Sequence, residues 1–210
     1  MEADAVGLRV VGCLIEKQRT TPDAYPLSLN GLRLACNQAT NRDPVVDYDE
    51  PTIRAALDRL SRIGWVRLAS GPGSRAAKYR HLMDGALGVD HAALALLAVL
   101  ILRGPQTLGE LNQRTERLQR FGSTAAIEEA LEALAERELV VRQPRRPGQK
   151  EERWAHLLGG DEPVADATAA PPASPQGDPL ADVERELAEL KAEVADLRAT
   201  LARLRERLDG

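Results

Sequence analysis

Residues 34–44, LACNQATNRDP, bring a cysteine, two asparagines, an arginine and an aspartate into one short run. Such a mixture could build a reactive thiol with polar helpers, or a loop that presents side chains to a partner. A catalytic thiolate requires a nearby base and an exposed site, and the adjacent sequence offers no histidine. Cys36 also falls in helical register with Leu29 and Leu32, which makes it a small hydrophobe of a buried face. The three histidines are equally unpromising as a catalytic set. His81 and His156 occupy equivalent places in two strands, and His91 begins an apolar helix. Glu16 and Lys17 could form an acid/base pair, but charges near a helix end are more often solvated or ion-paired. No cysteine pair has metal-ligand spacing, and no Gly-rich phosphate loop or nucleophile motif occurs. The sequence therefore predicts a protein without catalytic residues, metal or cofactor.

What remains is a loop, and the elements around it form a repeat. IRAALDRLSRIGWV (53–66) aligns with IEEALEALAERELV (127–140) at a constant offset of 74 residues. Ile53, Leu57, Leu60 and Val66 match Ile127, Leu131, Leu134 and Val140, which is one helical face leading into a strand. Each copy continues through a Gly- and Pro-containing turn, SGPGSRAA or PRRPGQKE. A second strand closes each copy, KYRHL (78–82) or RWAHL (153–157), with Tyr79 matching Trp154 and His81 matching His156.

Two helices precede each of these units. The first copy has a helix near residues 4–18, and a second opening at the N-cap Ser28. The second copy has the apolar helix 91–103 and a helix opened by the capping box Thr107/Glu110. Asp49 and Pro51 start the helix after the opening loop as N-cap and first-turn proline. Three helices and a two-stranded hairpin, written twice, predict a mainly α fold with small β-hairpin wings (α+β). The expected domains are a winged helix-turn-helix unit at 1–83 and another at 84–159, and small cores of this size gain from packing on each other.

The tail is different in kind. Residues 160–178 are rich in Ala, Pro, Gly and Asp and read as a disordered linker. From 179 to 210, Leu180, Val183, Leu187, Leu190, Val194, Leu197, Leu201, Leu204 and Leu208 follow in alternating steps of three and four. That is an a/d heptad seam, so a coiled-coil helix and a homodimer are expected, with strand orientation left open. AALALLAVLIL (92–102) is too short for a membrane span, which needs ~20 residues. With no secretory signal pattern, a cytoplasmic protein is expected.

The run GCLIEKQRTTPDAYPLSLNGLRLACNQATNRDPV (12–45) resembles the YceH-like family of uncharacterised bacterial proteins. Glu16, Lys17, Thr21–Asp23, Tyr25–Leu29, Cys36–Gln38, Asn41, Arg42 and Pro44 carry that resemblance. It continues more loosely to about residue 158 and implies a tandem winged-helix fold, with no reaction attached.

Charge decides which copy could meet a polyanion. The chain has net charge -4, but residues 1–83 carry +3, 84–159 carry -1 and 160–210 carry -6. A winged helix commonly lays its third helix in the major groove and its wing on the backbone. In the first copy Thr52, Arg54, Arg59 and Arg62 lie on the outer side of that helix, beside Asp58. Arg75 and Lys78 lie in the wing, and Asn41 and Arg42 in the loop before the helix. In the second copy Glu128, Glu129, Glu132 and Glu136 would face phosphates, which is unfavourable. The leading expectation is a DNA-binding regulator whose partner is duplex DNA. The alternative is an adapter that binds a protein partner and no DNA.

Overall fold

The structure is a computed structural model that describes residues 3–69, 77–145 and 151–159. The expected linker, the heptad segment and Arg75 lie outside the described residues. Helix α1, Ala5–Thr20, starts at Asp4, whose carboxylate accepts from the Gly7 N–H. It is buried along Gly7–Ile15, where three later helices pack against it. A short 3₁₀ turn, Pro22–Ala24, and strand β1, Leu27–Ser28, lead into α2, Leu29–Cys36. Ser28 caps α2 by accepting from Gly31 N–H, and Asp49 caps α3, Glu50–Arg62, by accepting from Thr52 N–H. Both caps stand where the sequence placed them. The buried stripe of α3 is Ile53, Ala56, Leu57 and Leu60, the face predicted by its periodicity.

Strands β2 (Val66–Leu68) and β3 (Lys78–His81) form the expected hairpin. Strand β1 adds a third, giving the order β1-β3-β2. Leu27 and Leu68 both pair with Tyr79, and Val66 pairs with His81. A two-residue strand has no periodicity to read, so β1 escaped the sequence analysis. The short helix α4, Met83–Leu87, escaped it for the same reason. It ends at Gly88, whose φ of 60° suits a residue without a side chain.

The second copy follows the same course. Helices α5 (His91–Arg103), α6 (Leu108–Thr115) and α7 (Thr124–Glu136) precede β4 (Val140–Gln143) and β5 (Arg153–His156). The Thr107/Glu110 capping box at α6 is complete on both sides. Val140 pairs with His156 as Val66 pairs with His81. Gln106 bridges to Trp154 as Leu27 pairs with Tyr79, so the repeat extends to backbone that the alignment did not cover. The described chain is thus mainly helical with two small antiparallel sheets, an α+β arrangement.

The two copies share one hydrophobic cluster. Helices α1 and α5 are its spine, and Gly12 sets their approach. A Cβ at Gly12 would lie 2.9 Å from Ile101 Cγ2 and 3.0 Å from Leu102 side-chain carbons, so only glycine fits without displacement. The backbone N–H of Asp43 donates to Leu102 O at 2.8 Å. The loop after α2 is therefore seated on the end of α5.

Candidate functional site

The opening stretch folds into a lock on the end of α2. The last carbonyls of a helix lack intrahelical donors, and here side chains supply them. Arg42 Nε donates to Ala35 O at 3.1 Å, Arg9 Nη1 donates to Cys36 O at 3.3 Å, and Cys13 Sγ lies 3.3 Å from Ala35 O. Arg9 Nη2 also donates to Pro44 O at 2.6 Å, tying the two ends of the loop together. Asn37 holds the return of the chain: its amide donates to Tyr48 O at 2.9 Å and its oxygen accepts from Tyr48 N–H at 2.9 Å.

Arg42 is the centre of this lock, and its geometry departs from the expectation that it faces nucleic acid. Its Nη1 donates to Glu16 Oε1 at 3.1 Å and to Asn41 O at 2.8 Å. Its Nη2 donates to Glu16 Oε2 at 2.6 Å and to Gln38 Oε1 at 3.0 Å. With Nε on Ala35 O, all five guanidinium donors are committed. The side chain is 0% exposed, while that of Glu16 retains 15%. Arg42 builds the fold and has nothing left for a phosphate. Glu16 is ion-paired, and Lys17 lies 3.9 Å from the same carboxylate. Asn41 is exposed at the loop tip with φ of 60°, a conformation asparagine tolerates well.

The solvent face of α3 carries Thr52, Arg54, Asp58, Arg59 and Arg62, all exposed. Ala55 and Ser61 keep that face shallow. Arg59 is not free: its Nη2 meets Asp4 Oδ2 at 2.6 Å in a half-exposed pair. Lys78 is exposed at the start of β3, and Arg67 is exposed on β2. The structure thus brings Thr52, Arg54, Arg59 and Arg62 onto one helix face, separates Arg42 from them by burial, and leaves Arg75 outside the described residues.

The second copy presents the opposite sign. Glu129, Glu132 and Glu136 are exposed on α7. Arg142 is drawn to carboxylates, at 3.3 Å from Glu128 and 2.6 Å from Glu152, and its guanidinium lies 5.6 Å from the Trp154 ring centroid. Arg153 pairs with Glu110 at 2.9 Å. Arg142 and Arg153 are therefore ion-paired within their own repeat.

His81 is buried and held by hydrogen bonds inside the first repeat. His81 Nε2 lies 2.6 Å from Gln18 Oε1, and Nδ1 accepts from Met83 N–H at 3.3 Å. That pattern fixes the neutral ring with its proton on Nε2. Burial pushes its pKa down to about 4. Burial also lowers His156. Among the described residues no three His, Cys, Asp or Glu side chains gather as a metal-binding group.

Sequence reasoning missed Arg9 and the Asp4–Arg59 pair. Arg9 did leave a signal, since it interrupts the apolar run of α1, and a charge inside such a run needs a buried partner. Asp4 left none, because its partner Arg59 lies 55 residues away in sequence.

A mainly helical protein built on an internal repeat, with one basic and one acidic outer helix, is the class these features define. Residues 3–149 match the family described as protein of unknown function DUF480. The UPF0502 protein of Dechloromonas aromatica is 53% identical over 165 residues, covering 77% of this chain and 76% of that one. The UPF0502 proteins of Geotalea uraniireducens and Geobacter sulfurreducens are 49% and 48% identical, covering 83% and 86% of this chain and 80% and 83% of theirs. The chain belongs to this bacterial family, the YceH-like or UPF0502 proteins. No helix among the described residues is long and apolar enough to cross a membrane.

Proposed function

We propose that the protein is a cytoplasmic, non-enzymatic regulator that binds duplex DNA through α3 of its first repeat. In this reading each repeat is a winged helix-turn-helix unit, and the heptad segment at 179–210 pairs two copies. The observation that carries it is the exposed face of α3, where Thr52, Arg54 and Arg62 stand beside the small residues Ala55 and Ser61. Small side chains let a helix approach base edges closely, and arginine can grip phosphate or read guanine bidentately. The carboxylates of α7 repel phosphate, so the second repeat stays off the duplex. A dimer would supply the two-fold arrangement that a palindromic site requires. Substitution tests the assignment of the face. Arg54→Ala and Arg62→Ala should each weaken binding and lower the salt slope by about one. Arg145→Ala, in the second repeat, should leave both unchanged. Equal losses from either repeat would remove α3 from the interface.

A protein adapter is the second reading, and one observation favours it. Leu34 on α2 and Val45 in the following loop are 57% and 59% exposed, close to the lock that joins Cys36 and Pro44. Apolar side chains held rigidly at a surface suit a protein partner. This reading requires a stoichiometric partner that survives nuclease treatment and is lost with Leu34→Asp.

A further inference from the structure

Strands β2 and β3 set two arginines directly opposite each other. Arg67 pairs with Arg80, between the Val66–His81 and Leu68–Tyr79 pairs. Side chains alternate across a strand, so Arg67 and Arg80 share the face opposite the one that buries Val66 and His81. Directly opposed side chains stand with their Cβ atoms about 4.5–5.5 Å apart, and like charges there are destabilising. The repeat supplies an internal control. The equivalent pair in the second hairpin is Val141 with Ala155, so the fold does not require charge at this position. Nothing in the hairpin relieves the repulsion either. Among the described residues no ion pair or hydrogen bond engages the side chain of Arg67 or Arg80.

We propose that Arg67 and Arg80 form a phosphate-binding clamp on the outer face of the first hairpin. Arg80 is its fixed half. The Nε of Arg80 is buried with no acceptor, while the residue as a whole is only partly buried. Its charge is therefore partly desolvated without compensation, which is costly. Arg67 is exposed on the facing strand, and its long side chain is free to turn toward the same ligand. A phosphate group offers several charged oxygens, enough to accept from two guanidinium groups at once, and such charge-assisted bonds are the strong kind. A carboxylate has two oxygens, which one guanidinium already occupies in a bidentate pair. Lys78, two residues before Arg80 on β3, lies on the same face. The wider field has the right sign as well. Burial is the main reason His81 stays low; Asp84 works against it, and Arg80 and Arg19 add to it.

The same chemistry has two sources. A phosphate of the DNA backbone carries a single negative charge, and a free phosphate monoester carries about 1.5–2. With the first source the clamp adds a backbone contact that lies outside α3. With the second it holds a small phosphorylated molecule beside the helix that would meet DNA. The site itself is argued from the hairpin alone and does not rest on the DNA reading.

The test begins without nucleic acid. Full-length protein is titrated with inorganic phosphate at constant ionic strength, with chloride as the balancing anion, and its melting temperature is followed. Phosphate should raise the melting temperature progressively by mass action. Arg67→Gln removes one half of the clamp at an exposed position. It should raise the melting temperature in chloride, because the like-charge pair is gone, and it should abolish the phosphate-dependent rise. Arg54→Ala, on α3, should keep that rise. The second arm uses duplex DNA. A backbone source predicts that Arg67→Gln lowers the salt slope by about one. A free-phosphate source predicts an unchanged slope alongside the phosphate-dependent rise. A phosphate effect that survives Arg67→Gln would overturn the proposal. So would the lack of any phosphate effect together with DNA binding that Arg67→Gln leaves untouched. A lower melting temperature for the variant in chloride would contradict the repulsion on which the clamp is argued.

Discussion

Glu16→Gln is the sharpest probe of the lock at the end of α2. The carboxylate of Glu16 receives both terminal nitrogens of Arg42, at 3.1 Å and 2.6 Å. A neutral amide keeps one acceptor and places an NH₂ group against guanidinium donors. Arg42, with 0% of its side chain exposed, cannot turn to water for compensation. Removing one partner of a buried ion pair costs about 3–5 kcal/mol, and the 15% exposure of Glu16 together with the retained amide oxygen sets the expected loss at the lower end, ~3 kcal/mol. For a chain of this length that corresponds to a melting temperature lower by roughly 6–12 °C. Urea unfolding followed by circular dichroism should show a lower midpoint with an unchanged slope. A loss under ~1 kcal/mol, the scale of an exposed pair, would mean that Arg42 reaches solvent. The structural role assigned to it here would then be wrong.

Three further outcomes are expected. Stability should fall as pH drops from about 6.5 toward 4, because His81 is held neutral in the folded state at a pKa of about 4 while the unfolded chain takes up a proton in that window. The loss is about 3 kcal/mol at most, and His81→Gln should flatten the slope seen in urea midpoints across pH. Asp4→Asn keeps the cap on α1 but removes the charge paired with Arg59. It should change stability by less than ~1 kcal/mol and tighten the DNA complex at low salt, whereas weaker binding would place Arg59 outside the interface. Deletion of residues 179–210 should lower the mass measured by light scattering, and an unchanged mass would exclude that segment as the pairing element.

The helices and their caps were legible because periodicity and capping chemistry are local. Ser28, Asp49 and the Thr107/Glu110 box each act within one turn. The internal repeat was legible because equivalent core positions demand equivalent residues, and the register of Val66 with His81 and Val140 with His156 carries it into the sheets. The site was less legible. Arg42 and Arg54 look alike in sequence, but one meets a carboxylate 26 residues away and disappears into the core, while the other stays on a helix face. Helical spacing sorts arginines on α3. No spacing rule applies to a loop, where burial is decided by whichever element the loop lies against.

The most direct test of the central reading is a fluorescence-anisotropy titration of the full-length protein against duplex DNA fragments across a salt series, with Arg54→Ala alongside. The account predicts affinity that falls steeply with salt, and a shallower slope for the variant. Absence of binding at low salt, or a slope that Arg54→Ala leaves untouched, would contradict it.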